Sequence, residues 1–88
     1  MPRYFFHLRD GLEISYDREG QDLPSPDVAL AHVMQAARHT MAKAILEGER
    51  LGLTRTFQVE DEHGNTVREV PFRDAVVLDR VSEGPRSS

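Results

Sequence analysis

The 88-residue chain has no cysteine, which excludes disulfides and thiolate metal sites and leaves the redox compartment open. It has no apolar run approaching a membrane span, and its start lacks the basic-then-apolar layout of a secretory signal. A cytoplasmic protein with no membrane contact is therefore the expectation. No G-x-S-x-G, phosphate-binding loop, dinucleotide-binding glycine pattern or H-E-x-x-H occurs, so the spacings that set up a nucleophile, cradle a phosphate or pair two zinc ligands are missing. Ser15 and Thr40 are isolated hydroxyls with no base visible beside them. An excess of positive charge is lacking too. The net charge of −4 with histidine neutral disfavours broad contact with a phosphate backbone, so a nucleic-acid partner is not expected.

What is present suits one small folded domain. The hydrophobic fraction of 39% and charged fraction of 30% are those of an ordinary globular protein and not of a disordered chain. The domain is expected to cover residues 1–79, with 80–88 a small, polar, flexible C-terminal tail.

The clearest period lies between Pro26 and about Glu47. Leu30, Val33, Met34, Ala37, Met41, Ala44 and Ile45 follow three- and four-residue steps, the pattern of one apolar helical face. Ser25 is the natural N-cap, Pro26 suits the first turn, and Asp27 complements the positive end of the helix dipole. Gly48 is the expected stop, because glycine turns left-handed without steric cost. Burying such a face is worth on the order of 10 kcal/mol gross, most of it offset by chain entropy.

Around this helix the chain reads as strands. Arg3 to Arg9 alternates Tyr4, Phe6 and Leu8 against Phe5, His7 and Arg9. Asp10-Gly11 is a hairpin signal, followed by a second strand with Leu12, Ile14 and Tyr16 expected inward and Glu13 and Ser15 outward. Asp17 to Gly20 turns the chain toward the helix, and Leu23 is placed to pack on the helix start. After Gly48, Leu51 and Leu53 are expected to cover the edge of the core. Thr56 to Glu60 is a third strand with Phe57 and Val59 inward, and His63-Gly64-Asn65 reads as a turn. Thr66 to Phe72 is a fourth, in which Val67 falls out of phase with Val70 and Phe72; a bulge, or a partly covered second face, accounts for that. Pro71 belongs on an edge strand or at a strand end. The run Ala75-Val76-Val77-Leu78 is either a short fifth strand or a segment that docks on a partner. The predicted fold class is α+β: a four-stranded antiparallel sheet of β-β-α-β-β connectivity and order 2-1-3-4, with one helix packed on one face.

One helix covers one face of a sheet, so the reverse face is the candidate functional surface. Phe5, His7 and Arg9 are its first residues, with Arg68 and Phe72 second. An aromatic beside a histidine and an arginine can stack a base or ligand ring, or it can pack against the same patch of a second subunit or against the run from Val76 to Leu78. Metal chemistry finds no footing. His32 and His39 share a helical side but lie about 10 Å apart along the axis, too far for one ion whose ligands sit roughly 2 Å from it. Asp17-Arg18-Glu19-Gly20-Gln21-Asp22 lacks the alternating carboxylates and closing glutamate of an EF-hand. No catalytic residue, metal or cofactor is expected. The favoured reading is a non-catalytic protein-interaction module acting as a homodimer, with room for a further protein partner.

The opening Met1-Pro2-Arg3-Tyr4-Phe5-Phe6-His7-Leu8-Arg9-Asp10-Gly11 resembles that of a family of short bacterial proteins carrying a domain of unknown function. The likeness continues through Asp17, Glu19-Gly20, Leu23, the alanine-rich helix ending at Gly48, Val59, Asp61-Glu62 and Gly64 to Val70-Pro71-Phe72. It implies membership without implying an activity. A second likeness is to HicB-type antitoxins, small sheet-and-helix proteins that inhibit a partner ribonuclease. It rests on the tyrosine-bearing first strand, the acidic-glycine turn and the alanine-rich helix; where that group carries P-D-x-P-G, this chain reads Asp22-Leu23-Pro24-Ser25-Pro26. An antitoxin, or a sheet that binds a nucleic acid or ligand, is the alternative reading.

Overall fold

The computed structural model describes residues 1–77. The tail expected over 80–88 and Leu78 of the last apolar run lie outside the described residues. The elements are β1 (Arg3–Asp10), β2 (Glu13–Ser15), β3 (Gln21–Asp22), α1 (Pro26–Glu47), β4 (Thr56–Glu60) and β5 (Thr66–Pro71), followed by a 3₁₀ turn over Phe72–Ala75. The sheet is antiparallel throughout, in the order β2-β1-β4-β5, with β3 also paired to β1. The class is α+β as expected, but the strands number five and not four. The extra strand is two residues long and has no alternation to betray it.

α1 begins and ends as the chemistry of its termini requires. The Ser25 side chain accepts the Val28 amide at 3.2 Å, and Gly48, at φ 72, closes the helix. Beyond it the Glu49 amide returns to the Ala44 carbonyl at 2.8 Å. The buried face is Ala29, Val33, Ala37, Met41 and Ala44, with Leu30 and Met34 packed at its margin. Ile45, on the border of that face in the last turn, remains exposed. Beneath the helix, Tyr4, Val59 and Val70 join Ala29 and Val33, while Phe72 and Ala75 join Ala37 and Met41. Phe6, Leu8, Leu23, Leu51, Leu53 and Phe57 close the rim.

Two register details position the reverse face. In β5, Arg68 lies opposite Val59 while Thr66 lies opposite Glu60, so Val67 is the extra residue of a β-bulge, which explains its phase. Along β1, the four-residue step from Leu8 back to Tyr4 faces a six-residue step from Ser15 to Gln21. Two residues therefore loop out, and the stretch from Tyr16 to Gly20 arches away from the edge between β2 and β3.

The hairpin closes on Asp10 and Glu13, with Gly11 and Leu12 as its two loop residues. Gly11 alone takes positive φ, at 65, the pattern of a II′ turn and not the one centred on Asp10-Gly11. A two-residue loop pairs Arg9 with Ile14 and so puts Ile14 on the Arg9 side. The expectation that Leu12, Ile14 and Tyr16 point inward is thus reversed, and all three are exposed. The last apolar run is not a strand over its described part. Ala75 is buried under the helix at the end of the 3₁₀ turn, and the Arg38 Nε donates to the Ala75 carbonyl at 2.6 Å.

Candidate functional site

Strand pairing sets the membership of the uncovered face. Phe5, His7 and Arg9 face Glu60, Gln58 and Thr56 across β1 and β4, Glu69 lies beyond Gln58, and Ile14 flanks Arg9. His7 occupies the middle and is only 8% exposed. The Asp17 amide donates to His7 Nδ1 at 3.0 Å, so that nitrogen presents its lone pair. The ring proton therefore sits on Nε2, which donates to Glu60 Oε1 at 3.1 Å. The chain of contacts runs on through Gln58, which donates to Glu60 and to Thr66 Oγ1. The Tyr16 ring meets His7 edge-on, with centroids 5.2 Å apart. A histidine with both nitrogens engaged fastens the arch to the sheet and offers no free lone pair to a metal or a substrate.

Asp17 is the second fastening. Its carboxylate accepts the amides of Phe6 at 3.1 Å, Glu19 at 3.1 Å and Gly20 at 3.2 Å. The first of these substitutes for the ladder bond that β1 loses where β2 and β3 part. Burial opposes ionisation of this carboxyl, but the three amides and the nearby His7 outweigh it and hold the group below the ordinary aspartate value. Gly20 is the third fastening. At φ 70 it lies so close to β1 that a Cβ there would come within 2.8 Å of the Tyr4 carbonyl oxygen and 2.9 Å of the Phe5 ring. Phe5 is thereby half covered by its own chain.

The residues expected at the contact surface part company. Phe5, His7 and Arg9 do lie together on the reverse face, but His7 is buried and Arg9 reaches Glu69 at 3.8 Å. Arg68 pairs with Val59, so it lies on the helix side and approaches Asp27 at 3.8 Å. Phe72 is fully buried, stacked on Phe57 with centroids 5.3 Å apart; it belongs to the core and not to any contact surface. Its two-residue step from Val70 carries that information, since both then face the helix. Leu12, Ile14 and Tyr16, expected inside, are exposed at 102%, 40% and 63%, Leu12 in the hairpin turn and Ile14 and Tyr16 on the uncovered side.

The remaining polar clusters are local. Asp61 folds the loop after β4, accepting the amides of Asn65 and His63, each at 2.9 Å, and these bonds lower its pKa against an opposing cost of desolvation. The outer side of α1 has an open depression of about 360 Å³ between His32, Gln35, Ala36, His39 and Thr40. All five come from one helix, and the His32 ring lies tilted against Phe6, with centroids 5.0 Å apart. Among the described residues no group of three or more histidines, aspartates or glutamates is placed to hold a metal ion, and no helix is long and apolar enough to cross a membrane.

Fold and surface together define an α+β protein whose open antiparallel sheet is covered by a helix on one side. The chain belongs to the family described as Domain of unknown function (DUF6894), whose model matches residues 3–73. Comparison with curated proteins and with solved structures returned no match.

Proposed function

We propose that the chain is a non-catalytic protein-interaction module that assembles as a homodimer through the uncovered side of its sheet and the β2 edge. The supporting observation is an exposed apolar cluster at the β2 edge: Ile14 beside Arg9 and Tyr16 against His7, both on the side away from the helix, with Leu12 in the adjoining hairpin turn. Apolar side chains gathered on an exposed edge mark a contact surface, and nothing within the described chain covers these. Burying each such side chain returns roughly 1–2 kcal/mol. Three from each copy must offset an association cost of at least about 4 kcal/mol, which leaves at most about 8 kcal/mol and so a dimer no tighter than roughly micromolar. A nucleic-acid reading is less favoured, because Glu60 and Glu69 lie on the same face and Arg9 is turned toward Glu69.

Light scattering over a low to high micromolar range tests the reading. The wild-type mass should climb from monomer toward dimer, and Ile14→Glu should remain monomeric throughout. In the monomer a glutamate at that position sits opposite Arg9 and suits the hairpin. A wild-type protein that stays monomeric at the highest concentration overturns the proposal.

A further inference from the structure

We infer that two copies join through β2 in antiparallel pairing, with the two-fold axis passing through Ile14, so that two sheets become one. The inference rests on the homodimer reading above and specifies its contact and register.

The direction of the backbone groups comes first. The Arg3 amide donates to Glu62, on the β4 side of β1, at 3.0 Å, and the Phe6 amide donates to Asp17, on the β2 side, at 3.1 Å. Odd-numbered amides of β1 therefore face β4 and even-numbered ones face β2, as strand alternation requires. Asp10 and Glu13 then form the hydrogen-bonded kind of pair, and Arg9 and Ile14 the other kind. In that second kind each residue turns its amide and carbonyl away from its partner strand. For Ile14 this is the open margin of the sheet. It presents one donor and one acceptor there, which is what a second copy of the same residue needs to form two reciprocal bonds.

Charge then selects the register. An axis through Glu13 sets that carboxylate against its own copy. An axis through Ser15 sets Glu13 against Asp17. An axis through Ile14 sets Glu13 against Ser15 and Leu12 against Tyr16, and it places no like charges opposite each other. In this register the two Ile14 side chains meet on the same side of the joined sheet, and the hairpin turn at Leu12 of each copy comes beside Tyr16 of the other, just past the ends of β2. A heterologous apolar partner would satisfy the same edge without the self-complementarity of this spacing.

Because the chain has no cysteine, single-cysteine variants report the register directly. Residues facing each other in a hydrogen-bonded antiparallel pair lie about 5.5 Å apart at Cα, within disulfide range. Under mild oxidation Ile14→Cys should convert mostly to a disulfide dimer. Glu13→Cys and Ser15→Cys should each cross-link weakly alone, and form a mixed disulfide when combined. Light scattering on the uncross-linked wild type runs alongside. A dimer by scattering whose Ile14→Cys variant does not cross-link overturns the β2 pairing and leaves the homodimer standing. A monomer by scattering overturns both.

Discussion

Along one margin of the sheet, β5 carries a bulge at Val67, the charges of Arg68 and Glu69, and a terminal proline. Along the other, β2 runs between Leu12 and Tyr16 with Ile14 at its centre. Bulges, charges and proline keep a strand edge from accepting a neighbour. Only the brevity of β2 and the single charge of Glu13 do so on the other side. The two margins also differ in how they are held. β5 is tied down by core side chains, Val70 within it and Phe72 just past its end, whereas no residue of β2 is buried. The stretch that follows β2 is secured by polar fastenings at His7, Asp17 and Gly20. One margin is therefore closed and anchored by packing, and the other is open and pinned by hydrogen bonds. The core and the open edge are thus held by different kinds of interaction.

Three substitutions separate these roles. Phe72→Ala removes a fully buried ring at the closed margin and should cost about 3–5 kcal/mol by chemical denaturation. A loss below about 1 kcal/mol would show that packing is not what anchors that side. Asp17→Ala strips three amides of their acceptor at the open margin and should cost about 2–3 kcal/mol, with amide exchange quickening from Tyr16 to Asp22 before the core opens. The pH dependence follows from the lowered pKa of Asp17. Its stabilisation is complete above the unfolded aspartate value near 3.8 and is lost as pH falls through the lower folded value. The acid limb of stability should therefore flatten in Asp17→Ala; an unchanged limb would mean that the carboxylate contributes nothing there. Smallest is Ile14→Glu, whose stability should lie within about 0.5 kcal/mol of wild type while its association is lost.

The helix was readable to its caps, because Ser25, Pro26, Asp27 and Gly48 each answer a local demand of the backbone. Phe57, Val59 and the displaced Val67 were equally readable from alternation and its interruption. The second strand misled for a physical reason. An alternating apolar row says that one face is apolar, not which face, and that is decided by pairing across the hairpin. Counting through a two-residue loop places Ile14 beside Arg9, so the parity is present in the sequence but only in the pairing, not in the alternation. Asp17 carried a fainter signal, a turn aspartate with amides two and three residues ahead. Its bond to Phe6 depends on where the arch lands on β1, which no local pattern encodes. β3 is two residues long and left no trace at all.

The contrast between the margins is tested most directly by amide exchange of the wild-type protein at rising concentration. Protection of the Ile14 amide should increase from low to high micromolar protein, while no amide of β5 changes. Concentration-independent exchange at Ile14, or protection that grows along β5 instead, would contradict the account.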